Sequence, residues 1–332
     1  MLAGVPGPLF RLVSTVVTPA ADRATAVRSI AALPSGGEAH VVFAADSGRP
    51  FSVRIAAGKR GETLIAALHQ PGGAPNLGDN GIPGGADSAA AVFDVDGRDA
   101  VAGYYEAVAV APSGPGLSAR LSVDHAPVRL DLARGERDSL AVLLRALSDS
   151  VVSGRLRFGV LGVERSYAVS GVGGADVEVP FLLPGWVKHL MVDLELDPAQ
   201  WPRFTDFGLT AVDSAQRILA KSPANYAHAR LSNDLAARTG DQHVKIVLAP
   251  GFAEPQSREP WQGRVTIRLQ AERPVALEAK EGDEFHLAPT ATTGFHARLG
   301  ELPWPAPEGF QPLLLFLVES GGLGWTWEIS RP

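Results

Sequence analysis

The chain has 332 residues, 45% apolar and 20% charged, a globular composition with length for two sandwich-sized domains. Its 36 Gly and 26 Pro imply many turns and few long helices. A net charge of -6 with no basic run excludes a nucleic-acid footprint, and the lack of Cys excludes disulfide staples, thiolate metal sites and a cysteine nucleophile. No apolar run nears the roughly 20 residues that cross a bilayer. The first ten residues carry Pro6 and Pro8 and no basic n-region, so they do not read as a signal peptide, and an export signal is expected on a longer precursor.

In chain order, residues 7–17 read as an opening strand. Residues 20–33 read as a short helix, because Ala24, Val27, Ile30 and Ala31 fall at helical spacing. Residues 40–45 and 51–55 are two β-branched runs joined by Asp46-Ser-Gly, the pattern of a hairpin. A strand at 63–69 and a Gly/Pro/Asn loop at 70–88 follow. Residues 89–94 and 103–111 form the next strand pair around the turn Asp96-Gly97, and 117–123 and 128–132 complete a first unit. Lead-in segments at 140–147 and 154–162 open a second, the former readable as a strand or a helical turn. After 282 come four more strand-like runs, the last containing Trp325 and Trp327.

The order of strands repeats. Phe51-Ser-Val-Arg-Ile aligns with Val177-Glu-Val-Pro-Phe, Tyr105-Glu-Ala-Val-Ala-Val-Ala-Pro with His243-Val-Lys-Ile-Val-Leu-Ala-Pro, and Ala126-Pro-Val-Arg-Leu with Arg273-Pro-Val-Ala-Leu. The expected architecture is all-β: two tandem antiparallel jelly-roll-like β-sandwiches with a short β tail. Residues 1–133 form the first, 134–281 the second, and 282–332 the tail, packing on the second or forming a truncated third unit.

Three candidate sites stand against plainer readings. Asp94, Asp96 and Asp99 surround a Gly turn and can supply hard oxygen ligands to Ca²⁺, although Asp-Gly is also an ordinary hairpin turn. Trp325 and Trp327 alternate on a strand and so share a face, ready to stack on sugar rings or grip a peptide, or else to plug a core. His286 and His296 flank a hairpin, but no third zinc ligand can be named. No Gly-x-Ser-x-Gly, Ser-x-x-Lys or Gly-Thr-Ser-Met-Ala signature is present, and Ser118 in Gly116-Leu-Ser-Ala-Arg is a strand residue, so the chain reads as non-enzymatic.

Residues 206–270 carry a resemblance. An Asp206-Phe-Gly-Leu strand, the turn led by Asp213, the Gly240-led Val244-Lys-Ile strand and the closing Val265-Thr-Ile strand follow one another. This stretch resembles the pre-peptidase C-terminal domain, a jelly-roll-like sandwich appended to secreted bacterial subtilisin-like peptidases. The resemblance implies an extracellular or cell-surface accessory module that stabilises the enzyme or binds its substrate, with calcium in some relatives. Its partner would be a peptidase catalytic domain or an extracellular polymer, with no nucleic acid and no membrane span. Two other readings stand beside it: an adhesion module for polysaccharide or protein, and a hydrolase with an unrecognised site, which convergent His, Asp and Ser side chains would revive.

Overall fold

The computed structural model describes residues 12–17, 26–33, 37–57, 64–71, 75–76, 90–111, 117–134, 139–222, 230–236, 240–254, 257–278, 280–298 and 301–330. These are almost wholly β, with one 3-10 segment at Pro198–Arg203. The strands are β1 (Leu12–Val17), β2 (Ala26–Leu33), β3 (Glu38–Ala45), β4 (Phe51–Ala57), β5 (Ile65–His69), β6 (Pro75–Asn76), β7 (Ala90–Val95), β8 (Gly103–Val110), β9 (Leu117–His125), β10 (Val128–Arg134), β11 (Ser139–Ala146) and β12 (Val152–Val172). They continue as β13 (Val177–Leu183), β14 (His189–Leu196), β15 (Phe204–Asp213), β16 (Ile218–Lys221), β17 (Arg230–Asp234), β18 (Gln242–Phe252), β19 (Pro260–Leu277), β20 (Glu284–Leu287), β21 (Thr292–Arg298), β22 (Gln311–Ser320) and β23 (Leu323–Ser330).

The chain divides into two compact units. Unit 1 comprises Met1–Leu156, Lys280–His296 and Leu317–Trp327; unit 2 comprises Arg157–Ala279, Ala297–Phe316 and Glu328–Pro332. The expected boundary at 134 lies inside unit 1, where β11 pairs with β10, and residues 282–332 are divided between the units.

In unit 1 the sheet β1-β3-β8-β5-β6 packs against β2-β9-β4-β7. Strand β1 runs parallel to β3, and the other registered pairs of the two sheets are antiparallel. Alternation decides which residues enter the core. Val41, Phe43 and Ala45 from β3 meet Phe51, Val53 and Ile55 from β4, with the Phe43 and Phe51 rings edge to face at 5.3 Å. Each Val, Ile and Phe burial contributes about 1.5–3 kcal/mol.

Several expected connections are corrected here. Residues 40–45 and 51–55 are strands, but β3 and β4 lie in opposite sheets, so Asp46-Ser-Gly is an arch over the core and no hairpin. The same holds for β7 and β8 around Asp96-Gly97. The helix expected at 20–33 is instead strand β2 over Ala26–Leu33, registered antiparallel to β9; residues 20–25 lie outside the described set, as does most of the 70–88 loop. Cross-strand pairing overrides a helical pattern built from small residues.

In unit 2 the strands β17-β14-β19-β12 lie side by side and share a core with the sheet β13-β18-β15-β16. Leu190, Val192 and Leu194 of β14 and Val265, Ile267 and Leu269 of β19 meet Phe207, Leu209 and Ala211 of β15. Trp261 closes one side, 2% exposed and edge-on to Phe207 at 5.1 Å. It lies so close to Gly171 that a Cβ there would sit 2.6 Å from the indole, which is why that strand position is Gly. The turn read at Asp213 is present: the Asp213 carboxylate accepts from the N–H groups of Ala215 and Arg217, both at 2.9 Å, and from Arg217 Nε at 2.7 Å. The backbone bond from Arg217 leads in holding Asp213 below the usual carboxylate range.

The segments aligned as repeats do not hold equivalent places. β4 and β8 are in opposite sheets of unit 1, whereas their aligned counterparts β13 and β18 are hydrogen-bonded neighbours in unit 2.

Candidate functional site

Two of the three sites singled out by the sequence form one packed feature in unit 1. Asp96 Oδ1 accepts from the N–H groups of Arg98 at 2.7 Å and Asp99 at 2.9 Å, so its carboxylate closes the turn that follows β7. Asp94 is exposed on β7, opposite Ser52. Among the described residues no group of three or more His, Asp or Glu side chains is disposed to hold a metal ion.

Strand β23 then docks on this turn. Gly97 donates its N–H to Thr326 O at 2.9 Å, and a Cβ on Gly97 would lie 2.1 Å from the Trp327 ring. Trp327 is 2% exposed and donates Nε1–H to Gly48 O at 3.0 Å; Trp325 is 6% exposed, with Nε1 3.4 Å from Asp124 O. The two indoles do share a face, and that face is turned inward. They are core residues with their polar atoms supplied with partners, and the exposed stacking surface considered for them is not there.

In unit 2 the face of the β17-β14-β19-β12 layer away from its core is polar. Arg268, with 4% side-chain exposure, is its hub: Nη2 lies 2.9 Å from Asp193 Oδ2, Nε 3.6 Å from Glu164 Oε2 and Nη1 3.7 Å from Glu328 Oε2. Arg230 adds a bond to Asp193 at 2.5 Å, and Ser330 bonds Glu164. Two guanidinium groups are thus set among three carboxylates, each charge held by an opposite one. Such clusters are costly to desolvate but costlier to break.

On the same face, at the β14 and β17 end, three residues form a hydrogen-bonded chain. His189 Nδ1 is 2.8 Å from Asp234 Oδ1, and His189 Nε2 is 3.0 Å from Ser232 Oγ. A carboxylate only accepts, so Nδ1 carries the proton and Nε2 is free to accept from the Ser232 hydroxyl. The register explains the meeting: Asp234 lies directly opposite His189, and Ser232 is two residues along the same face. No local pattern marks it, since Ser232 is 43 positions from His189 and only the strand register brings them together. Asp234, at 97% exposure, is solvated by water, which weakens its pull on the imidazole.

Three other histidines have local partners. His40 sits between Glu106 at 2.7 Å and Glu38 at 3.3 Å. His286 bonds Ser153 at 2.6 Å, and His296 bonds Glu281 at 2.8 Å, so the pair considered for zinc is engaged separately. The backbone N–H of His296 leads in holding Glu281 below the usual carboxylate range.

Sequence reasoning also missed a second tryptophan pair. Trp186 and Trp304 of unit 2 stack with ring centroids 4.9 Å apart and planes 17° from parallel, both half-buried. One signal pointed there: Trp304 lies between Pro303 and Pro305, which take it out of any strand ladder.

No family model matches the chain, and no curated protein matches it. Solved structures offer distant likenesses. One is a crystal structure of tripeptidyl peptidase 2, at 11% identity and a TM-score of 0.40, covering 93% of this chain and 28% of that one. A second is the M60 catalytic domain with two CBM51 domains from Clostridium perfringens ZmpB, at 8% identity and 0.21, covering 73% and 34%. A third is the infectious bursal disease virus VP2 subviral particle, at 11% and 0.23, covering 86% and 83%. The chain therefore spans less than a third of the tripeptidyl peptidase 2 chain it is similar to.

Proposed function

We propose that the chain is a non-catalytic accessory module of a secreted bacterial subtilisin-like peptidase, a β-sandwich that stabilises the catalytic domain or holds it on an extracellular polymer. One observation carries this reading. The strands on which the resemblance to pre-peptidase C-terminal domains rests, β15, β16, β18 and β19 with the Asp213 turn, follow in the expected order and enclose one core. The mutual pairing of Arg268, Glu164, Asp193 and Glu328 adds support, because it commits these charged groups to holding the sandwich together.

A hydrolase is the second reading, favoured by the Ser232–His189–Asp234 chain alone. Ser232 Oγ would attack an acyl carbon as its proton passes to His189 Nε2, and Asp234 would orient the ring. It comes second because Asp234 stands in water.

A fluorophosphonate probe, which labels activated serines, separates the two. The accessory reading expects the purified chain to stay unlabelled, while antiserum against it captures a larger, labelled polypeptide from the native source. Labelling of the purified chain at Ser232 would establish the hydrolase instead. Capture of the chain with no labelled peptidase would overturn the accessory reading.

A further inference from the structure

We propose that Trp304, backed by Trp186, is a stacking platform for a pyranose ring of a polysaccharide; the idea deepens the polymer-holding side of the accessory reading and rests on that reading for its setting. The two indoles differ in what lies behind them. Trp186 packs against the core of unit 2, and Trp304 packs on Trp186, one layer further out.

The loop that carries Trp304 is fastened at four points. Leu302 rests on the core, Pro305 O accepts Trp186 Nε1–H at 3.2 Å, Glu308 O accepts Arg165 Nη1–H at 2.8 Å, and Phe310 is buried at 8% exposure. Pro303, Pro305 and Pro307 restrict the backbone between these points. A ring fixed in this way loses little freedom when a ligand arrives.

The surroundings select the ligand. A protein-binding hot spot lies within apolar, desolvated packing. Here charged groups flank the pair: Asp241 accepts the N–H of Gly185, next to Trp186, at 3.0 Å, and Arg165 donates to Glu308 O on the Trp304 loop at 2.8 Å. A pyranose offers a C–H face to the negative face of an indole and a ring of hydroxyls to a carboxylate and a guanidinium. A proline-rich peptide has the apolar face without the hydroxyls.

The test titrates the full chain with cellohexaose, chitohexaose and xylohexaose, reading tryptophan fluorescence, with a proline-rich decapeptide in parallel. At least one sugar should give a saturable change. Trp304→Ala should weaken it about tenfold or more, the loss of one stacking contact of about 1.4 kcal/mol, without shifting the melt. If Trp304→Ala lowers the melt, Trp304→Phe replaces it and should retain part of the binding. No response to any of the three sugars, equal binding by the variant, or a response to the peptide alone overturns the proposal. Failure here leaves the labelled-peptidase result untouched, so the two readings fail separately.

Discussion

The two tryptophan pairs are opposites. Trp325 and Trp327 sit at alternate positions of one strand, the simplest pattern for a shared face, and both lie at or below 6% exposure with Nε1 facing backbone carbonyls of unit 1. Trp186 and Trp304 are distant in sequence, on a turn and a proline-rich loop of unit 2, yet they stack and remain half-buried. Alternation says that two side chains point the same way; it does not say whether that way is inward. What decides is whether another layer covers the face. For β23 the Asp96-Gly97 turn does so, with a Gly where the indole needs the space.

This difference can be broken at its inner members first. Trp327→Ala should destabilise unit 1 by about 3–5 kcal/mol, since a large buried ring is removed and the turn beneath it loses its cover. Chemical denaturation would measure it, and a loss below about 1 kcal/mol would mean that the ring is not packed as described. In unit 2, Arg268→Ala should cost a similar amount, about 3–5 kcal/mol, because Glu164, Asp193 and Glu328 each lose a buried cation partner.

A smaller effect should come from Asp213→Ala, which removes the acceptor of the β15–β16 turn. The native Asp213 has a lowered pKa, so its contribution is complete above the unfolded value of about 3.9 and disappears as pH falls through the folded value. The melting temperatures of wild type and variant should therefore differ at neutral pH and converge below about pH 4. A gap that persists there would assign the effect to something other than the ionised carboxylate. Smallest of all should be the response to calcium. With Asp96 already committed to two backbone N–H groups, excess Ca²⁺ and a chelator should give the same melt, and a rise of many degrees with calcium would show an oxygen site beyond the one considered.

Strands were legible where apolar and polar residues alternate, as at 40–45, 51–55, 206–212 and 244–250, because a half-buried pleated strand imposes that period. Asp213 was legible as a turn for its own chemistry. Pairing was not legible. Asp46-Ser-Gly looks like a hairpin turn, yet it carries the chain from one sheet to the other, since Phe43 and Phe51 must meet across the core and cannot be neighbours on one sheet face. The same limit hid the Ser232–His189–Asp234 chain, which exists only through the register of β14 on β17. Trp304 was not read, although its flanking prolines keep it out of a strand ladder, and no sequence pattern links it to Trp186.

The central claim is that the strand-borne tryptophans serve the core and the loop-borne pair serves the surface. Urea denaturation of Trp327→Ala beside Trp304→Ala tests it most directly. The predicted result is a loss of about 3–5 kcal/mol for the first and less than about 1 kcal/mol for the second. Equal losses, or the larger loss in Trp304→Ala, would contradict it.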